Sequence, residues 1–133
     1  MLLSFLDKFK NKLVRMYRKA VFLDTINCSH KDLYIVGDYT LINHNITLGH
    51  NVTVYPGVMF FGQGPIVLGN NINIGNGTIF YSSSRGGITI GDNTMIAAHC
   101  YLIDSDHGIS AGKAILDQED TVEKIEIGED VWL

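Results

Sequence analysis

An apolar residue recurs every six positions through most of the chain beyond residue 35. The residue that follows it is glycine at positions 37, 49, 69, 75, 91 and 128. A period of six fits neither the 3.6-residue period of a helix nor the two-residue alternation of an ordinary strand. It predicts a chain that makes a short strand, turns a corner and repeats. The apolar residues that open each unit are Val36, Ile42, Leu48, Val54, Phe60, Leu68, Ile74, Phe80, Ile90, Ile96, Leu102, Ile127 and Leu133.

Three such units make one triangular coil, so the openers predict four coils that begin at residues 36, 54, 74 and 96. Each opener is expected to point into the coil. Glycine, asparagine and aspartate suit the corners because they tolerate left-handed backbone angles. A second inward side chain is expected four residues after an opener, as at Val52, Val58, Ile72 and Thr94.

The six-residue repeat is interrupted by insertions of two, four and nineteen residues, after Phe60, Phe80 and Leu102 respectively. We expect each insertion to leave from a corner, where a loop does not disturb the stack. The predicted organisation is an N-terminal helix and lead-in over 1–32 and a β-helix domain over 33–133. The longest loop, over 103–126, carries His107.

Residues 2–20 have the pattern of an amphipathic helix. This helix has two interpretations: it covers the open end of the β-helix, or it contacts a membrane surface or a partner. The cations of this segment outnumber its single acid, Asp7, by five, and the rest of the chain therefore carries −9. The predicted apolar face contains Leu2, Phe5, Leu6, Phe9, Leu13, Met16 and Tyr17.

Composition excludes several classes of function. The acidic body offers no clustered lysine and arginine for nucleic acid. The sequence predicts no membrane-spanning helix and no signal peptide, and two cysteines fit a reducing compartment. We therefore expect a cytoplasmic protein that makes peripheral contact, if any, with the inner face of a membrane.

The segment "ITIGDNTMIAAHCYLIDSDHGIS", a loop and then "IEIGEDVWL" resemble the sugar and polysaccharide O-acetyltransferases of the hexapeptide-repeat acyltransferase family. The resemblance implies a mainly β fold, a left-handed parallel β-helix, here preceded by an amphipathic α-helix. It also implies a homotrimer with acetyl-CoA in the groove between neighbouring subunits. It implies that His107 is the catalytic base and that the Val131–Trp132 pair lies close to the same site.

This resemblance implies an enzyme that moves an acetyl group from acetyl-CoA to a sugar hydroxyl in polysaccharide biosynthesis. This sequence departs from the family's pattern in two places. Thr78 and Ile79 stand where the maltose and galactoside enzymes have an acceptor-binding Phe-Asn, and the chain stops at Leu133 where family members continue. We therefore expect either a fragment or a shortened product. The alternative function is an inactive β-helix that acts as a structural or interaction module.

Further candidates surround His107 in the sequence. Asp104 or Asp106 could orient the imidazole, as in a His–carboxylate pair, or could be solvated loop residues. Trp132 is a candidate for the acyl or acceptor pocket, with core or interface packing as the alternative. The insertion that follows Phe80 supplies three more candidates for acceptor contacts, with a plain loop as the alternative: Tyr81, Ser83 and Arg85.

Histidines also raise the question of a metal site. A related β-helix family, the γ-type carbonic anhydrases, binds zinc with three histidines, and zinc needs three converging protein ligands. His44, His50 and His99 do not have that family's spacing, so we expect no metal.

Overall fold

The computed structural model describes residues 2–26, 28 and 32–133, without the side chains of Leu2, Leu3 and Phe5. The predictions for the side chains of Leu2 and Phe5 therefore lie outside the described residues. Helix α1 (Leu2–Thr25) precedes a parallel β-helix of about four turns, which confirms the predicted mainly β fold class.

The β-helix consists of short strands. In chain order they are β1 (Leu33–Ile35), β2 (Tyr39–Leu41), β3 (Ile46–Leu48), β4 (Val52–Val54), β5 (Val58–Gly62), β6 (Ile66–Leu68), β7 (Asn73–Ile74), β8 (Ile79–Ser82), β9 (Ile88–Ile90), β10 (Met95–Ile96), β11 (Tyr101–Ile103), β12 (Ser105–Asp106), β13 (Thr121–Val122) and β14 (Ile125–Ile127). A single turn of 3₁₀-helix spans Ile115–Asp117.

Three parallel four-stranded sheets form the walls of the β-helix. Sheet A contains β1, β4, β7 and β10, sheet B contains β2, β5, β8 and β11, and sheet C contains β3, β6, β9 and β14. Successive coils pair in register, so that Val54 lies beside Ile74 and Phe60 beside Phe80. The long loop contributes the separate antiparallel pair of β12 and β13.

The structure corrects the predicted register of the first coil. Ile35 and Leu41, not Val36 and Ile42, pair with Val54 and Phe60 of the next coil. Val36 and Ile42 were expected to point inward, but they are 43% and 61% exposed because each lies one residue beyond the end of its strand, β1 or β2.

The first coil has one additional residue between Leu41 and Leu48, and its corner is built around the buried side chain of Asn43. The Nδ2 atom of Asn43 donates hydrogen bonds to the carbonyl oxygens of Phe61 and Gly64, at 3.2 and 2.9 Å. A polar corner residue thus resets the spacing before the regular coils begin.

The interior is a column of stacked apolar side chains. The predicted openers from Leu48 to Leu102 are buried, as are the second inward residues. Leu133 is 39% exposed, and its backbone forms hydrogen bonds with Met95 and Ala97 of the preceding coil. The rings of Phe60 and Phe80 stack with centroids 5.1 Å apart. Cys28 and Cys100 are partly buried and pack against this core.

Asparagines build one corner of the β-helix. Asn51, Asn71 and Asn93 all have left-handed backbone angles, with φ values of 57° to 58°. Their side-chain amides form a ladder: Asn51 donates to Asn71 at 2.9 Å, and Asn71 donates to Asn93 at 2.8 Å. Asparagine is suited to this position because it tolerates the left-handed region and its amide both donates and accepts.

Helix α1 covers the first coil with its C-terminal end. Phe22 is fully buried, and its ring makes edge contacts with Phe60 and Tyr39 at centroid distances of 5.7 and 5.0 Å. Ile26 is buried beside it. Neither residue belongs to the apolar face that the sequence predicted, because both lie beyond residue 20, the predicted end of the helix.

Candidate functional site

The long loop between β11 and β14 begins and ends as a two-stranded antiparallel ribbon. Ser105 pairs with Val122, and Asp106 pairs with Thr121. In an antiparallel pair the next two residues outward also face each other. Those residues are His107 and Asp120.

The His107 ring is paired with a carboxylate. Its Nδ1 atom lies 2.8 Å from Oδ1 of Asp120, and the side chains are 68% and 47% exposed. A carboxylate only accepts hydrogen bonds, so this contact places a proton on Nδ1. Among the described residues Nε2 has no hydrogen-bond partner, and in the neutral ring it is the basic nitrogen.

Arg85 connects the insertion after Phe80 to the same ribbon. Its guanidinium donates a hydrogen bond of 3.0 Å to the backbone carbonyl of Asp120. Arg85 therefore contacts the partner of His107 rather than the cleft, and it holds the returning strand of the loop against the preceding coil.

Asp104 does not orient the His107 ring, because its carboxylate is engaged elsewhere. Its side chain is buried and accepts hydrogen bonds from the Ser82 hydroxyl at 2.9 Å and the backbone amides of Ser83 and Gly87 at 2.8 and 2.7 Å. A Cβ added at Gly86 would approach its Oδ2 at 2.1 Å, so the chain there closes tightly on the carboxylate. Asp104 thus connects the start of the long loop to the insertion that follows Phe80.

Asp106 is exposed and accepts a 2.8 Å hydrogen bond from the backbone amide of His107. This contact supports the backbone, whereas the ring contact comes from Asp120. Sequence reasoning missed Asp120 because it lies thirteen residues beyond His107 in an aperiodic loop. It could have been found only if the pairing of Ser105 with Val122 and of Asp106 with Thr121 had been known, because that pairing places Asp120 opposite His107.

A cleft of about 780 Å³ opens beside the ribbon. The outer side of sheet B supplies one wall, with Tyr81, Tyr101 and Ile103, and the ribbon supplies His107 and Asp120. His107 and Tyr81, both candidates in the sequence analysis, thus line one cleft.

Two other candidates do not line this cleft. The Oγ atom of Ser83 is buried and has no hydrogen-bond partner among the described residues. Trp132 is 78% exposed and lies beside Met95 on sheet A, whereas the cleft is on sheet B. Within one chain, Trp132 is therefore on a different wall from His107.

His44, His50 and His99 lie at three different corners of the β-helix. His50 pairs with Asp32 at 2.7 Å, and His44 is exposed. His99 occupies a corner with a φ of 61°, where its ring covers Gly77. The described part of the chain contains no group of three or more His, Cys, Asp or Glu residues placed to hold a metal ion.

A comparison with models of protein families, with curated proteins and with solved structures found no match. Within the described residues, no helix has the length and apolar character that crossing a membrane requires. The class of protein that the structure defines is a parallel β-helix with a histidine–carboxylate pair at the edge of an open cleft.

Proposed function

We propose that this protein is an O-acetyltransferase that moves an acetyl group from acetyl-CoA to a sugar hydroxyl, with His107 as the general base. The observation that carries the proposal is the His107–Asp120 pair at the edge of the cleft, with Nε2 left available. A β-helix of this kind is compatible with hexapeptide-repeat proteins, whose sequence pattern this chain shares.

In the proposed reaction, Nε2 of His107 accepts the proton of the acceptor hydroxyl while the hydroxyl oxygen attacks the thioester carbon. The new C–O bond gives a tetrahedral oxyanion, which collapses with cleavage of the C–S bond. The imidazolium then returns the proton to the leaving thiolate of CoA. A positioned base of this kind contributes about 10²–10⁴-fold to the rate.

Asp120 has the role of a positioning residue in this mechanism. It keeps the Nδ1 proton in place and stabilises the positive charge that the ring gains during proton transfer. Arg85 supports Asp120 through the backbone contact of 3.0 Å. The base is therefore held by groups from two insertions, each of which leaves a different coil.

The cleft suits a saccharide acceptor. Its volume lies within the range of about 300–1,000 Å³ that is typical of small-ligand pockets. Tyr81 and Tyr101 present rings for the apolar face of a sugar and hydroxyl groups for its polar edge. Asp120 and Lys124 add charged hydrogen-bonding groups to the lining of the same cleft.

The proposed donor site lies between subunits of a homotrimer, as the family resemblance implies. The cleft is on the outer side of sheet B, where a neighbouring subunit could complete it. The apolar outward residues of that sheet are suited to such a contact.

The proposal is tested by measuring CoA release from acetyl-CoA in the presence of a panel of alkyl glycosides. We expect His107→Ala to lower the rate about 100-fold or more, and His44→Ala, an exposed histidine outside the cleft, to retain it. An undiminished rate in His107→Ala would refute the catalytic assignment. If the unaltered protein binds no acetyl-CoA in calorimetry, the transferase proposal is wrong and the interaction-module alternative is favoured.

A further inference from the structure

Helix α1 carries an apolar face that is largely exposed in the described structure. This face, here called the α1 stripe, has side chains that are each half exposed or more. Their spacing of three and four residues places them on one side of the helix. The α1 stripe consists of Leu6, Phe9, Leu13, Met16 and Tyr17.

The stripe points away from the β-helix. Phe22, which is buried against the first coil, follows Leu13 by nine residues, and nine steps of about 100° place two residues on opposite sides of a helix. Arg15 and Arg18 are on the side of Phe22, and they line a cleft of about 360 Å³ together with Val36 of the first coil.

The contacts of its last turns hold the helix in this orientation. The Tyr39 hydroxyl donates a 2.8 Å hydrogen bond to the backbone carbonyl of Arg18, and the Arg18 guanidinium forms an ion pair with Asp38. The Phe22 ring is wedged against Tyr39. Rotation of the stripe toward the body would break all three contacts, so the stripe is a fixed feature of the outer surface.

Charge identifies the kind of partner. Lys10 and Lys12 are exposed and flank the stripe on its two sides, since they lie about 60° and 100° around the helix from Leu13 in opposite directions. Asp7 is the only acidic residue among the first twenty. If two copies of the helix packed stripe to stripe, lysines would face lysines, which is unfavourable.

We propose that the α1 stripe docks on an anionic phospholipid surface. A helix with an aromatic and aliphatic face bordered by lysines lies in the plane of the membrane interface, with its apolar face about 5–10 Å deep. The stems of Lys10 and Lys12 extend along the apolar region and their ammonium groups reach the phosphates. The body, with its net charge of −9, is repelled by the same lipids and is held away from them.

Co-sedimentation with vesicles tests this proposal with the full chain. Vesicles of phosphatidylcholine alone are compared with vesicles that also contain phosphatidylglycerol, at low salt and at about 0.5 M NaCl. We expect binding to the anionic vesicles, weakened by salt, and little binding to the neutral ones.

Two pairs of substitutions separate the apolar and the electrostatic contributions. Lys10→Gln with Lys12→Gln should weaken the partition constant about 25-fold, since each cation near the surface contributes about fivefold. Phe9→Ser with Leu13→Ser should weaken it about 100-fold. The control pair Lys113→Gln and Lys124→Gln removes the same charge from exposed positions in the long loop and should leave binding unchanged.

Equal binding to neutral and anionic vesicles, or binding that survives both pairs of substitutions, would overturn the proposal. A second copy of the chain is the competing partner for the α1 stripe, and sedimentation velocity tests for it. If the parent chain binds no vesicles but self-associates, and Phe9→Ser with Leu13→Ser abolishes that self-association, the stripe is an interface between copies and the membrane proposal is wrong. Circular dichroism should show that the thermal midpoint of the β-helix is unchanged in the variants.

Discussion

Nδ1 of His107 lies 2.8 Å from Oδ1 of Asp120, and the two residues face each other immediately beyond the last paired positions of β12 and β13. The ribbon register therefore creates the pair. A loop of the same composition with its two strands shifted by one residue would separate them, because neighbouring residues of a strand point to opposite sides.

Asp120→Ala should lower the proposed acetyl-transfer rate about tenfold or more, because the imidazole loses the group that orients it and stabilises its charge. Nitrogen NMR of the His107 ring should show the proton predominantly on Nδ1 in the parent protein and a changed tautomer ratio in the variant. Asp106→Ala, which removes a neighbouring carboxylate without touching the ring, is the control. An unaltered tautomer ratio together with an unaltered rate would contradict the positioning role.

Asp104→Ala should destabilise the fold by about 3 kcal/mol, because its carboxylate accepts three hydrogen bonds and buried donors would be left without a partner. Urea unfolding measures the change in the free energy of unfolding. Asp106→Ala, at an exposed position, should change it by less than about 0.5 kcal/mol. Equal effects of the two substitutions would show that the buried contacts of Asp104 contribute little.

The corrected register of the first coil predicts opposite results for two adjacent residues. Ile35→Ala should cost about 2–5 kcal/mol in the free energy of unfolding, since Ile35 is 4% exposed and packs in the core. Val36→Ala should cost less than about 1 kcal/mol, because Val36 lies largely outside. The reverse order would mean that the original hexad spacing holds in this coil.

Asp92 links stability to pH. Hydrogen bonds from the side chain and then the backbone amide of Asn70 hold the pKa of Asp92 below its usual range, against a smaller opposing effect of burial. A lowered folded-state pKa stabilises the fold above the unfolded-state value of about 3.9, and this stabilisation is lost as the pH falls through the folded-state pKa.

Asp92→Asn should therefore be less stable than the parent protein at neutral pH, and the difference should vanish in acid. Unfolding by urea over a series of pH values measures this convergence. Asp117→Asn, in the 3₁₀ turn of the long loop, is the control for the loss of one negative charge. If the difference in the free energy of unfolding between Asp92→Asn and the parent is the same at every pH, the destabilisation comes from the packing of the asparagine and not from the charge of Asp92.

Much of the β-helix could be predicted because each coil repeats a local requirement. Glycine follows many of the openers, and burial is confirmed for the openers from Leu48 to Leu102. The prediction failed at Val36 and Ile42, where two adjacent apolar residues compete for the interior at each site. The six-residue spacing favoured the second residue of each pair. In the structure the first residues, Ile35 and Leu41, are the ones that pair with the next coil.

The site was predictable only in part. His107 stood out because it lies where the repeat stops, but nothing in the aperiodic loop distinguished Asp120 from the acidic residues nearer to His107. Asp104 was a reasonable candidate by proximity along the chain. Its burial among Ser82, Ser83 and Gly87 follows from the stacking of one coil on another, which sequence distance does not express.

The sequence by itself determined the repeating coil, since inward apolar side chains and corner asparagines and glycines are requirements that each six-residue unit meets locally. Tertiary structure alone decided which carboxylate contacts His107 and which side of α1 faces outward. Both depend on residues distant along the chain being brought together, by the ribbon register in one case and by the packing of Phe22 on the first coil in the other.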